Sequence, residues 1–234
     1  MAKKPQAKKG KARVLVIDDH PAVRSGLKAA INATHDLQVC GEAGNVREAK
    51  QILREQECDV VLLDLTLADE SGLELVKDLA VRKRAAPTLV LSMHDEAIYA
   101  ERVLRAGAKG YLMKDVPLEE VLRALRQVLA GEVHLSEAMR SRLLARMVGG
   151  GSASATTSPI ESLTDRELEV FEAIGRGRRT GEIAEALHLS PRTIDTHREN
   201  IKRKLGLTDS TELHQHAFDW VRRQDAGEGA SAKA

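Results

Sequence analysis

Short aliphatic runs, VLVI from Val14, VVLL from Val60 and TLVLS from Thr88, alternate along the first half of the chain with longer stretches of helical spacing. Unbroken apolar runs of this length suit strands buried on both faces, and their alternation with helices predicts a parallel sheet wrapped by helices. The helical stretches repeat apolar residues every three or four positions: Val23, Leu27 and Ala30; Leu73, Val76 and Leu79; Val121, Leu125 and Val128. Each offers one face to the sheet. Beyond Gly131 a polar helical stretch reaches Val148, and GGGSASATTSP, Gly149 to Pro159, has the composition of a flexible linker. From Leu163 onward only helical patterns follow, broken by turns at Gly175 to Thr180, Leu187 to Ser190 and Gly206 to Asp209.

The pattern therefore predicts a basic tail over 1–12, an α/β domain over 13–132, a linker over 133–160 whose first part is helical, a small all-α domain over 161–225 and a tail over 226–234. A length of 234 residues suffices for two separate cores. A net charge of +1 points to neither nucleic acid nor membrane, and aromatic residues are scarce at 2%. Cys40 and Cys58 lack the His or Cys neighbours of a metal site. The lysine-rich start is followed by only four apolar residues before Asp18, too few for a secretory signal, so a reducing cytoplasm is expected.

Candidate chemistry lies where the strands stop. The first runs into Asp18 and Asp19, the third into Asp64, the fourth into Ser92 and the fifth, GYLM, into Lys114. In a parallel sheet these residues share the carboxyl edge, where such folds bind ligands. Three carboxylates gathered there repel one another unless a cation neutralises them, and a hard divalent ion, Mg²⁺ or Mn²⁺, is implied. The Lys114 ammonium and the Ser92 hydroxyl suit the oxygens of a tetrahedral anion beside that ion. Taken singly, a strand-end Asp is most often a helix cap and a lone Lys a solvated charge. Together on successive strand ends they make a site for receiving a phosphoryl group.

Over roughly Arg13 to Glu132 these residues resemble the receiver domain of bacterial two-component response regulators. The resemblance implies a (βα)5 doubly wound sheet of flavodoxin-like order in which Asp64 takes the phosphoryl group from a sensor histidine kinase. It implies that Asp19, Asp64 and the backbone carbonyl of Thr66 hold the metal, with Asp18 assisting through water. Ser92 would bond a phosphoryl oxygen, Lys114 would pair with the phosphate and Tyr111 would be the aromatic switch. Thr66 and His94 would border the path of an attacking water and influence the phosphoryl lifetime. Ala68 stands where the family often has proline, which implies a looser loop.

The second half is similar to the helix-turn-helix of the LuxR/FixJ/NarL type over Leu163 to Leu207. The residues agree: Ser190 is a good N-cap, Pro191 suits the first helical position, and Ile194, His197, Ile201 and Leu205 share one inward face. His197 and the acids Glu167 and Glu182 read as scaffold. The opposite face carries Arg192, Thr196, Glu199 and Arg203, flanked by Asp195 and Lys202, as a helix lying in a major groove requires. Arg198 and Lys204 add to its positive charge, and Arg176, Arg178 and Arg179 can reach phosphates from the preceding turn. Asp195, Glu199 and Gly181 depart from commoner family residues and imply modest affinity per monomer.

The expected function is that of a response regulator transcription factor whose phosphorylation controls homodimerisation and binding to double-stranded DNA, with RNA polymerase as a further candidate partner. No membrane association and no enzymatic activity beyond its own phosphorylation and slow dephosphorylation are expected. An aspartyl phosphohydrolase would want a second Asp where Thr66 stands. A constitutive DNA binder would not need the complete acid set, and an adaptor would not need a recognition helix.

Overall fold

The structure, a computed structural model, describes residues 10–67, 70–82, 85–148 and 158–231. The expectations for the basic start before residue 10, the loop at Ala68, the linker over 149–157 and the last three residues lie outside these. The strands are β1 (Ala12–Ile17), β2 (Leu37–Ala43), β3 (Val60–Leu63), β4 (Thr66–Leu67), β5 (Glu70–Ser71), β6 (Thr88–Ser92) and β7 (Gly110–Met113). The helices are α1 (Pro21–Asn32), α2 (Val46–Glu55), α3 (Gly72–Ala80), α4 (Glu96–Arg105), α5 (Leu118–Leu129), α6 (Glu137–Val148), α7 (Asp165–Gly175), α8 (Thr180–Ala186), α9 (Pro191–Leu205) and α10 (Ser210–Ser231).

Five strands form one parallel sheet in the order β2-β1-β3-β6-β7, while β4 and β5 make a small antiparallel pair directly after β3. The apolar runs occupy the middle of the large sheet. Val14, Val16, Val60, Leu62 and Leu89 pack with Leu27 and Ile31 of α1 and with Val121, Leu125 and Val128 of α5. Their alternate neighbours Leu15, Ile17, Val61, Leu63 and Val90 are equally buried on the other face. Strand β2 carries no unbroken apolar run because it lies at the sheet edge, where most of its residues are only half-buried. Arg126 of α5 forks onto Asp36, just before β2, at 2.7 and 2.9 Å.

By packing, the chain divides into two units, and Met93–Arg102 group with the residues from Glu137 onward rather than with the sheet. These ten residues lie inside the span 13–132 that the sequence pattern reads as one domain. In the second unit α7 packs on α9 and α10, and α8 on α9. Its core gathers Leu168, Phe171, Ile174, Ile183, Ile194, Ile201, Leu213 and Trp220, with the Phe171 and Trp220 rings 5.7 Å apart. Helix α10 continues to Ser231, so 226–231, read from composition as a tail, are helical. Among the described residues no helix is long and apolar enough to cross a membrane.

Candidate functional site

The carboxyl-terminal halves of β1 and β3 are wholly apolar and buried, so charges appear one residue beyond their ends. Ile17 and Leu63 are register partners in β1 and β3, and the next residues are Asp18 and Asp64. The sheet hydrogen bonding carries one step further: Asp64 donates its N–H to Ile17 O at 2.8 Å, and Asp18 to Ala43 O at 3.1 Å. Two carboxylates, 2% and 3% exposed, are thereby held side by side.

Lys114 completes the arrangement. Its backbone N–H bonds Ser92 O at 2.9 Å, extending the β6–β7 pairing beyond the strand ends. Its Nζ lies 2.7 Å from Asp18 Oδ2 and 2.7 Å from Asp64 Oδ2, so one ammonium bridges both acids. Burial pushes the Asp64 carboxyl above the ordinary aspartate value, and the attraction of Lys114 only partly offsets this. Burial would lower the Lys114 ammonium, but Asp64 and Asp18 outweigh it and raise it.

Asp19 and His20 close the cluster from the loop before α1. His20 Nδ1 is 2.7 Å from Asp19 Oδ1, and the His20 backbone N–H donates to Asp18 Oδ1 at 2.8 Å. One donor atom each from Asp18, Asp19, His20 and Asp64 falls within 4.8 Å of the others. Such a set is compatible with a divalent cation: three carboxylates supply hard oxygens and more negative charge than Lys114 alone can balance. His20 was missed in the sequence, where its only signal was adjacency to the two acids.

The remaining expected residues divide. Thr66 opens β4, and its N–H donates to Asp64 Oδ1 at 3.1 Å, which steadies the loop after β3. Ser92 is the last residue of β6 and fully buried, beside the Lys114 backbone. Tyr111 is also fully buried, paired in register with Val90 and donating its N–H to His134 O at 3.0 Å. It stands inside the sheet rather than at its polar edge. Gly72 is a second residue the sequence did not single out. A Cβ there would lie 2.6 Å from Leu65 Cα and 2.8 Å from Asp64 O, so the start of α3 sits directly against the Asp64–Leu65 backbone.

In the second unit Ser190 Oγ accepts from Thr193 N at 3.1 Å, Pro191 occupies the first turn, and Gly206 ends α9 with φ 69°, a left-handed conformation that suits glycine. The helix buries Ile194 and Ile201 and leaves Arg192, Asp195, Thr196, Glu199 and Arg203 exposed along one side. Arg179 is exposed and Arg178 half-buried in the turn before α8. The available positive charge is smaller than the sequence suggests. Lys202 is half-buried and pairs with Glu199 at 2.8 Å, Arg198 donates to Thr180 Oγ1 at 3.0 Å, and Arg176 pairs with Glu172 at 3.0 Å.

Lys204 is turned inward, 2.6 Å from Glu167 Oε2, while Glu167 also accepts from the Thr164 N–H at 2.8 Å. Burial would raise the Glu167 carboxyl, but these bonds hold it below the ordinary glutamate value. The pair's stabilisation is therefore complete above the ordinary glutamate value and lost as pH falls through the lowered folded one. Lys204→Ala should destabilise the second unit at pH 7 by about 1–3 kcal/mol, because Glu167 is left buried without its cation. Urea melting of this variant beside Lys204→Arg measures that loss; equal stability of wild type and Lys204→Ala would dismiss it.

Comparison with known proteins gives two domains in the same order, with residues 93–102 inside the first. Residues 14–126 match the response regulator receiver domain, and residues 161–217 match the bacterial regulatory proteins of the luxR family. The chain is 36% identical to the oxygen regulatory protein NreC of Staphylococcus aureus over 209 residues, 88% of this chain and 96% of that one. A structure of the response regulator RcsB of Salmonella typhimurium aligns over 90% of this chain and 98% of its own, with a TM-score of 0.70 and 23% identity. A LuxR-family two-component response regulator from Aurantimonas covers 59% of this chain and 99% of its own, with a TM-score of 0.55 and 32% identity.

Proposed function

The chain belongs to the two-component response regulators that join a receiver to a LuxR-type DNA-binding domain, and from that premise we propose that Asp64 is its phosphoryl acceptor. The observation that carries this reading is the pairing of the buried Asp64 carboxylate with Lys114, 2.7 Å away, beside Asp18 at the carboxyl edge of the sheet. A buried acid with a fixed cationic partner has a carboxylate oxygen ready to attack phosphorus and a cation ready for the incoming phosphoryl oxygens.

In the proposed transfer an Asp64 carboxylate oxygen bonds to the phosphorus of a phosphohistidine on a sensor kinase. The P–N bond breaks and an acyl phosphate forms on Asp64. Lys114 then exchanges part of its contact with Asp64 for the phosphoryl oxygens, and the Ser92 hydroxyl donates to another of them. Tyr111 follows as the aromatic switch. Asp18, Asp19 and Asp64, with the Thr66 carbonyl, would hold Mg²⁺ or Mn²⁺, which when bound supplies positive charge opposite the phosphoryl oxygens. The Thr66 N–H keeps the acceptor loop in place. The chain turns over no external substrate beyond its own phosphorylation and slow dephosphorylation.

Phosphorylation in turn favours a homodimer whose two α9 helices read paired half-sites on double-stranded DNA in the cytoplasm. RNA polymerase is a further partner in this reading. RcsB of Salmonella enterica has been seen bound to the promoter rprA in the presence of the phosphomimetic BeF3−. Arg192, Asp195, Thr196, Glu199 and Arg203 face the groove, Lys202 flanks them, and Arg178 and Arg179 lie toward the phosphates.

Incubation with acetyl phosphate and Mg²⁺ tests the acceptor. The expected product is an acid-stable, base-labile phosphate on Asp64 that EDTA prevents and Asp64→Asn lacks; full labelling of Asp64→Asn removes the assignment. On the DNA side, Arg203→Ala should flatten the salt dependence of binding by about one unit of log–log slope if Arg203 contacts a phosphate. If it contacts a base, about 1–3 kcal/mol is lost only at sites carrying that base. Unchanged affinity and selectivity, with the domain folded, would exclude Arg203 from the interface.

A further inference from the structure

The two cysteines were read from the sequence only as lacking the neighbours of a metal site, yet the fold brings them together. Cys40 Sγ and Cys58 Sγ are 3.3 Å apart, and both residues are half-buried. They belong to separate segments: Cys40 lies in β2, and Cys58 precedes β3 at its amino end, opposite the end that carries the acid cluster.

Two features of the backbone make the approach a built one. The β1–β2 register pairs Val14 with Val39 and Leu15 with Gly41, so Cys40 is the extra residue of a β-bulge. Bulges re-aim the side chain they carry. This one is held from α2's end, where Gln56 Nε2 donates to Cys40 O at 3.0 Å, and a Cβ at Gly41 would meet Ile52 at 2.9 Å. Cys58 is positioned by its neighbour: Asp59 accepts from the Arg13 N–H at 2.9 Å and from Arg13 Nε at 3.2 Å, and the Asp59 N–H returns to Arg13 O at 2.8 Å. Cys58, Arg13 and Asp59 also line a solvent-open cleft of about 660 Å³.

We propose that Cys40 and Cys58 are a modification site, a dithiol that a peroxide oxidises to an intramolecular disulfide and that a dithiol reductant restores. The Cys40 thiolate attacks one peroxide oxygen, the O–O bond breaks, and Cys40 becomes a sulfenic acid as hydroxide leaves and takes up the thiol proton. The Cys58 sulfur then attacks the Cys40 sulfur, the S–O bond breaks, and the hydroxyl leaves with the Cys58 proton as water. Two thiols and one peroxide give one disulfide and two waters. The sulfurs need close by only about 1 Å to reach bonding distance from 3.3 Å. The order follows from the pair itself. The hydrogen bond from Cys58 to an ionised Cys40 holds the Cys40 thiol below its ordinary value, and the same bond raises Cys58.

Full-length protein treated with hydrogen peroxide, quenched with an alkylating agent and measured by intact mass reads this directly. The expected product is a monomer lighter by two hydrogens with no free thiol, whose non-reducing peptide map joins Cys40 to Cys58 and whose thiols return with dithiothreitol. Cys58→Ser should accumulate a sulfenic acid at Cys40 that reacts with dimedone, and Cys40→Ser should lose the fast oxidation. Persistence of both thiols in wild type, a disulfide only between chains, or oxidation straight to sulfinic acid would each overturn the proposal. All three are read on wild type and do not depend on a variant folding.

Discussion

Lys114→Ala is expected to lower the stability of the α/β unit at pH 7 by about 3–5 kcal/mol in the absence of divalent cations, the loss that follows when a buried ion pair keeps only its acids. The side chain removed bridges Asp18 and Asp64 at 2.7 Å each and is itself only 12% exposed, so solvent does little of its work. Without it the Asp64 carboxyl, already raised by burial, rises further. A carboxyl raised in the folded state adds stability only where it is protonated, and that contribution disappears as pH climbs through its folded value. The deficit of the variant should therefore be small in acid and full at neutral pH. Mg²⁺ should recover part of it if the acids hold the ion. Urea melts at several pH values with and without Mg²⁺ measure all of this, and a metal-free variant as stable as wild type at pH 7 would show that the bridge contributes nothing. Labelling of Asp64 should survive this change better than phosphorylation-dependent DNA binding, because the nucleophile remains while the charge partner of the phosphate is lost.

Gly72→Ala should act on the same site from the other side of the loop. The added methyl would stand 2.6 Å from Leu65 Cα and from Leu65 O, and 2.8 Å from Asp64 O. These are backbone atoms, so no side-chain rotation relieves the contact. The loop must shift, and the 3.0 Å bond from Gly72 N to Leu65 O is the first interaction lost. Overpacking of this kind costs about 1–3 kcal/mol. Because Asp64 moves with the loop, phosphorylation by acetyl phosphate should slow by roughly tenfold to a hundredfold. Initial labelling rates compared with wild type decide it, and an unchanged rate would mean that the loop absorbs the methyl without moving Asp64.

Much of the molecule was legible as sequence. VVLL followed by Asp64 reads as a strand buried on both faces with its charge at the end, because a charged group inside such a strand has no solvent and no partner. Ser190 and Pro191 marked the start of α9 through local hydrogen bonding and a fixed φ, and the spacing of Ile194 and Ile201 set its buried side. These signals are local, so they survive without knowledge of the rest of the fold.

What the tertiary structure alone decided is which groups meet across long stretches of chain. Lys204 turns in to Glu167 and Cys40 faces Cys58, and at the strand edge already expected to gather Asp18, Asp64 and Lys114 the packing makes Lys114 bridge both acids directly. None of these pairs has a periodicity to announce it. The residues of the edge strand β2 could not be assigned because an edge need not be apolar throughout, and Gly72 escaped notice because its requirement comes from the Asp64–Leu65 backbone lying against it. Hydrophobic pattern records how each segment divides between water and core. It carries no record of which charged or sulfur-bearing ends are brought into contact once the segments pack, since that depends on strand order and register.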